Sequence, residues 1–109
     1  MISVVVHLMV NKELKKEKPT LMEMACYKKQ IALPFVPAVG AELQLIDCFE
    51  LLGKKAYKII NLRLYEGCDI VSINVEHNFS ANDPRYNMLP GFLTDRGWEV
   101  CTEIRKKLE

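Results

Sequence analysis

Among the residues of this 109-residue chain that could do chemistry, His77 is the most pointed, because strand-like alternation puts its ring on the side of Val71, Ile73 and Val75. An imidazole there can act as acid, base or metal ligand, and it can also simply cap a strand by bonding a nearby carbonyl, which is the plainer expectation. His7 would be its partner if the first strand lay alongside, and Glu76, Asp69, Asp83 or Cys68 could complete a metal shell. None of these pairs has the spacing of a known ligand motif, so neither a metal nor a cofactor is expected. Cys68 has the right type for a nucleophile, but a reactive thiolate needs an electropositive setting and its neighbour Asp69 would raise the thiol pKa. The five glycines are scattered, and no Gly-x-Ser-x-Gly turn or glycine-rich phosphate loop occurs. No catalytic residue is assigned, and a small enzyme or metal protein centred on His77 is the last of three functional readings.

Binding is the better-supported class. If 57–65 and 70–79 form a hairpin, Asn61 and Arg63 lie close to Ser72, Asn74 and Glu76 on an outward face, with Tyr57 and Tyr65 at its margins. Such a face is either a wet sheet surface or a docking surface. The stretch 80–87 is a turn-rich connection without a period, expected to be mobile, and its Arg85 and Tyr86 could extend that surface. The leading expectation is a non-catalytic module that meets an unidentified protein partner through Asn61, Arg63, Tyr65, Ser72, Asn74, Glu76, Arg85 and Tyr86. Apolar area around Met88, Leu89, Phe92 and Trp98 also allows a homodimer.

The second reading is single-stranded nucleic-acid binding through Tyr27, Lys28, Lys29, Lys54, Lys55, Tyr57 and Lys58. Aromatics beside lysines can stack bases while neutralising phosphates. Fifteen basic against fourteen acidic residues leave a formal charge of only +1, which weighs against it.

The elements that must position these residues follow from composition and period. At 109 residues, with 50% hydrophobic and 27% charged, the chain is expected to form one domain, 1–109, and not an extended disordered segment. The apolar opening up to Val10 lacks a basic leader and a cleavage site, and nothing reaches the roughly 20 apolar residues of a membrane span, so a cytoplasmic protein is expected. Cys26, Cys48, Cys68 and Cys101 sit among apolar or strand-forming neighbours without a Cys-x-x-Cys pair, and are expected to be reduced.

Ile2, Val4, Val6, Leu8 and Val10 alternate as a strand, and 12–18 reads as a solvated loop closed by Pro19. The segment 21–33 is helix or strand, with strand favoured because it runs directly into the extended Ile31-Ala32-Leu33-Pro34. After Gly40, Leu43 and Leu45 begin an alternating run that extends to Phe49. Asn87 is expected to cap a short helix over 88–96, closed by Gly97, and 98–105 reads as a final strand. The expected class is α+β, mainly β: an antiparallel sheet curled into a small, partly open barrel, with one short helix in the C-terminal half.

Overall fold

Val4, Val6, Leu8 and Val10 line one side of the first strand and are wholly buried, whereas Ser3, Val5, His7 and Met9 on its other side are half-buried. That contrast is the two-residue period expressed in three dimensions. The computed structural model describes residues 2–15, 21–54, 56–64, 67 and 70–108. In chain order its elements are β1 (Ile2–Lys15), β2 (Leu21–Leu33), β3 (Glu42–Gln44), a 3-10 turn (Ile46–Cys48), α1 (Phe49–Leu52), β4 (Ala56–Lys58), β5 (Asn61–Leu64), β6 (Ile70–Phe79), α2 (Arg85–Thr94) and β7 (Glu99–Leu108).

Five strands form the main sheet in the order β5-β6-β1-β2-β7, while β3 and β4 make a separate two-stranded ladder. β1 and β2 run antiparallel from Ile2↔Leu33 to Lys15↔Leu21, and β6 joins the other edge of β1 in parallel, with Val4 opposite Val71, Val6 opposite Ile73 and Leu8 opposite Val75. These facing apolar side chains meet Leu89 and Leu93 of α2, Tyr86, Trp98, Leu52, Cys48, Tyr57 and Ile59 in one hydrophobic cluster. Burying each large aliphatic side chain contributes roughly 1.5–3 kcal/mol. The helices and the β3–β4 ladder therefore all lie on one side of the sheet. Among the described residues, no helix is long and apolar enough to cross a membrane.

The strand assignments of 21–33 and of the segment after Trp98 hold, as β2 and β7. The α+β, mainly β class holds as well, but the architecture corrects several expectations. The sheet is mixed instead of antiparallel, and neither sheet is closed or strongly curled into a barrel. The reason lies in the connection: β2 occupies one edge of β1, so the chain must cross over before β6 can take the remaining edge, and it arrives there parallel. The sheet ends are then β5 and β7, separated by three strands.

A second helix, α1, replaces the extended run expected up to Phe49, since the ladder of β3 stops at Gln44. The expected strand over 57–65 is two strands in different sheets. Ile59 donates its N–H to Ala41 O at 2.9 Å while Ile60 donates to Asn74 O at 3.0 Å, so the chain changes partners between them. Tyr57 and Ile59 consequently point into the core. Within the expected loop 12–18, β1 continues to Lys15, supported by the opposite charges of Lys12 and Glu23 in register and by an Asn11 to Asn78 side-chain hydrogen bond of 3.0 Å; residues 16–20 lie outside the described residues.

α2 starts at Arg85, before the expected cap Asn87, because Asp83 Oδ1 accepts the Arg85 backbone N–H at 3.0 Å. Gly97, at φ 87°, lets the chain turn so that Trp98 donates its N–H back to Leu93 O at 2.9 Å.

One-sided burial makes a direct prediction. Leu8→Ala should lose about 2–5 kcal/mol in urea unfolding, while Asn61→Ala on the opposite side should change stability by no more than about 0.5 kcal/mol. Equal losses at the two positions would contradict the assignment of faces.

Candidate functional site

The other side of the main sheet is covered by no described element, and its side chains fall into transverse rows that the register fixes. One row runs Lys28 (β2), His7 (β1), Asn74 (β6) and Asn61 (β5); the next runs Gln30, Val5, Ser72 and Arg63. A third row places Cys26, Met9 and Glu76 beside the first. Lys28 and Arg63 sit three inter-strand spacings apart, roughly 14 Å between backbones, which two long side chains can bridge toward the middle. There they border a shallow depression of about 380 Å³ whose lining includes His7, Met9, Ser72 and Asn74.

His7 is the centre of this face. Its Nδ1 shares a 3.1 Å hydrogen bond with the hydroxyl of Ser72, itself buried. Burial lowers the His7 pKa, a hydrogen bond to the Ile73 backbone raises it, and the positive charges of Lys28 and Arg63 lower it further, so that the net shift is downward. The ring is therefore neutral at pH 7. A hydroxyl beside a neutral imidazole is the beginning of a nucleophile–base pair, but no described carboxylate orients the ring, and the pair sits on a flat strand surface. Its direct effect is to hold the half-buried imidazole of His7 in a fixed position against the buried Ser72 hydroxyl.

The expected residues divide between the two sides of the sheet. Asn61, Arg63, Ser72, Asn74 and Glu76 share the uncovered face, with Asn61 opposite Asn74 and Arg63 opposite Ser72. Tyr65 lies outside the described residues. Arg85 and Tyr86 belong to α2 on the covered side: Tyr86 is buried against Phe79, and Arg85 grips Asp83 with a 2.6 Å ion pair that holds the Asp83 carboxyl down at about 2. His77 is also on the covered side, where its Nδ1 shares a 3.1 Å hydrogen bond with Tyr57 Oη and its ring packs on Phe79. Burial lowers its pKa, helped by Lys54 and Arg85. The pairing of His7 with His77 is thereby corrected: in the parallel register His7 faces Asn74 and His77 faces Val10, on opposite sides of the sheet. Cys68 and Asp69 lie outside the described residues, among which no group of three His, Cys, Asp or Glu side chains could hold a metal.

The residues grouped for nucleic-acid binding are dispersed. Tyr27 and Tyr57 are buried, and Lys54 lies over the Tyr57 ring. Lys29 is tied to Asp47, Lys58 is exposed on β4, and Lys55 lies outside the described residues. Among the described members of this set, Lys28 alone joins the uncovered face.

A polar lock closes the covered side near the end of α2. Lys29 Nζ donates to Asp47 Oδ2 at 2.7 Å and to Arg96 O at 2.9 Å, and Trp98 Nε1 donates to the same Asp47 oxygen at 3.0 Å. Burial pushes the Asp47 carboxyl up, but the hydrogen bonds from Lys29 and Trp98 outweigh it and the pKa ends below the usual carboxylate range. The buried Cys48 thiol beside it is pushed up to about 12 by burial and by the Asp47 charge. Cys26 and Cys101 form a disulfide between β2 and β7, with Cα atoms 5.5 Å apart, which corrects the expectation of four reduced cysteines. Their 75-residue separation hides a proximity that only the β2–β7 pairing creates.

Sequence reasoning considered His7 only as a metal-site partner of His77, and missed both its place at the centre of the uncovered face and that Lys28 belongs with Arg63. The available signal was the outward position of His7 in the alternation of β1, which has no meaning for Arg63 until the strand order is known. Comparison with protein-family models, curated proteins and solved structures found no match to this chain.

Asp47→Ala should cost about 1–3 kcal/mol, because it strands the Lys29 ammonium and the Trp98 N–H together. The carboxylate contributes stability above its unfolded pKa, and that contribution is lost as pH falls through its depressed folded value. The variant should therefore lose part of the acid limb of a thermal-unfolding pH profile. For the histidines the sign is set by their downward shifts: the unfolded chain binds protons first, so stability falls as pH drops below about 6.5. His7→Asn and His77→Asn should each shallow the fall in melting temperature between pH 7 and pH 5, and an unchanged slope would refute the neutral, half-buried state of that ring.

Proposed function

We propose that this chain is a non-catalytic binding module whose partner surface is the uncovered face of its main sheet. The single observation behind this reading is the one-sidedness of the fold. Five strands are covered on one side by both helices and the β3–β4 ladder, while the other side presents Lys28, His7, Asn74, Asn61, Ser72 and Arg63 in adjacent rows around a depression. The reading shifts the surface expected from sequence. Arg85 and Tyr86 are engaged on the covered side and leave the proposed surface, whereas His7, Lys28 and Gln30 enter it.

A protein fits this face better than a nucleic acid strand does. Base stacking requires accessible aromatic rings beside the cations, and Tyr27 and Tyr57 are committed to the core. A partially hydrophobic, partially charged flat surface, with Val5 and Met9 between polar groups, is suited to a protein contact whose rim is polar.

Photo-crosslinking amino acids at Gln30, Asn61 and Glu76 on this face, and at Met88 and Thr94 on the helical side, test the surface in a lysate of the source cells. Cross-links to one protein from the sheet positions only, followed by an at least tenfold weaker affinity of Arg63→Glu for that purified protein, are expected. Cross-links confined to Met88 and Thr94, or an unchanged affinity of Arg63→Glu, would overturn the proposal.

A further inference from the structure

We infer that the depression between Lys28 and Arg63 seats a carboxylate carried by an acidic segment of the protein partner. This rests on the binding role proposed above and adds the chemistry of the ligand. Lys28 and Arg63 approach the depression from opposite sides, and neither makes an ion pair or hydrogen bond with another described residue. By contrast, Lys29, Arg85 and Arg96 are each held by an acid of this chain. Two cations without such a partner among the described residues, facing a common depression, attract a negative charge of modest size.

The neighbours define which anion fits. Asn74, in the lining of the depression, supplies an amide for carboxylate oxygens, while the buried Ser72 hydroxyl is already held by His7. Glu99 stands opposite Lys28 on β7, and Glu76 follows Asn74 on β6 beside Met9. These two acids bound the positive region on two sides. A long polyphosphate chain crossing the face would run against them, whereas a single side-chain carboxylate fits between. The neutral His7 ring, which feels both Lys28 and Arg63, is the built-in reporter: an anion placed there opposes their effect and favours protonation.

The test is a titration of isotope-labelled full-length protein, followed by NMR, with acetylated and amidated tetraglutamate, with tetraglutamine, and with an eight-nucleotide oligothymidylate. Tetraglutamate should move the resonances of His7, Ser72 and Asn74 and raise the His7 pKa measurably, and tetraglutamine should not. Lys28→Gln and Arg63→Gln, both at solvent-accessible positions and checked for folding by circular dichroism, should each weaken tetraglutamate at least fivefold. Equal perturbation by tetraglutamine, tighter binding of the oligothymidylate, or an unmoved His7 would overturn the inference. Cross-links from Gln30, Asn61 and Glu76 do not depend on a carboxylate. Their persistence with an unmoved His7 would reject the carboxylate alone, and their absence would reject the binding surface itself.

Discussion

Everything in this molecule depends on β1 being dry on one side only. Its four wholly buried side chains, Val4, Val6, Leu8 and Val10, bring β2 and β6 together over a common apolar layer, and every helix and the small β3–β4 ladder is drawn to that layer. Because alternate residues of a strand cannot share a side, the same backbone that buries those four presents Val5, His7 and Met9 outward. The core and the candidate surface are two expressions of one pattern. Neither can be shifted without the other, since a slip of one residue would exchange them.

The covered side is finished by polar contacts as well as by packing. Asp47 gathers Lys29, Trp98 and, through Lys29, the carbonyl of Arg96, so that β2, the turn before α1 and the segment after α2 are tied at one point. His77 and Tyr57 satisfy each other between β6 and β4, and Asp83 with Arg85 starts α2. Buried polar groups are costly when unpaired, and these pairs remove that cost while fixing which loop lies over which strand. The residues so committed include several that composition alone would nominate for function, namely His77, Arg85, Lys29 and Tyr57. What is left facing solvent in an organised array is the smaller group around His7.

Local pattern carried a good deal. The strands over 21–33 and 70–79, the last strand, the closure of α2 near Gly97, and the juxtaposition of Asn61 and Arg63 with Ser72 and Asn74 were all legible, because alternation and turn residues act over a few neighbours. The partner change between Ile59 and Ile60 was not legible, since an unbroken alternation over 57–65 says nothing about which strand accepts the hydrogen bonds. The disulfide of Cys26 with Cys101 and the row joining Lys28 to His7 and Asn74 were hidden for the same reason.

By itself, then, the chain of residues determined most of the long strands and the dry sides of β1 and β6, because those properties arise from side-chain size, polarity and spacing within a single segment. It did not determine α1 or the inward side of Tyr57 and Ile59. Only the tertiary structure decided that β6 lies parallel to β1, that the sheet stays open, and that Lys28 and Arg63 border one depression. These are relations between segments far apart in the chain, set by which edge of β1 remained free after β2 had paired, and no local pattern contains that information.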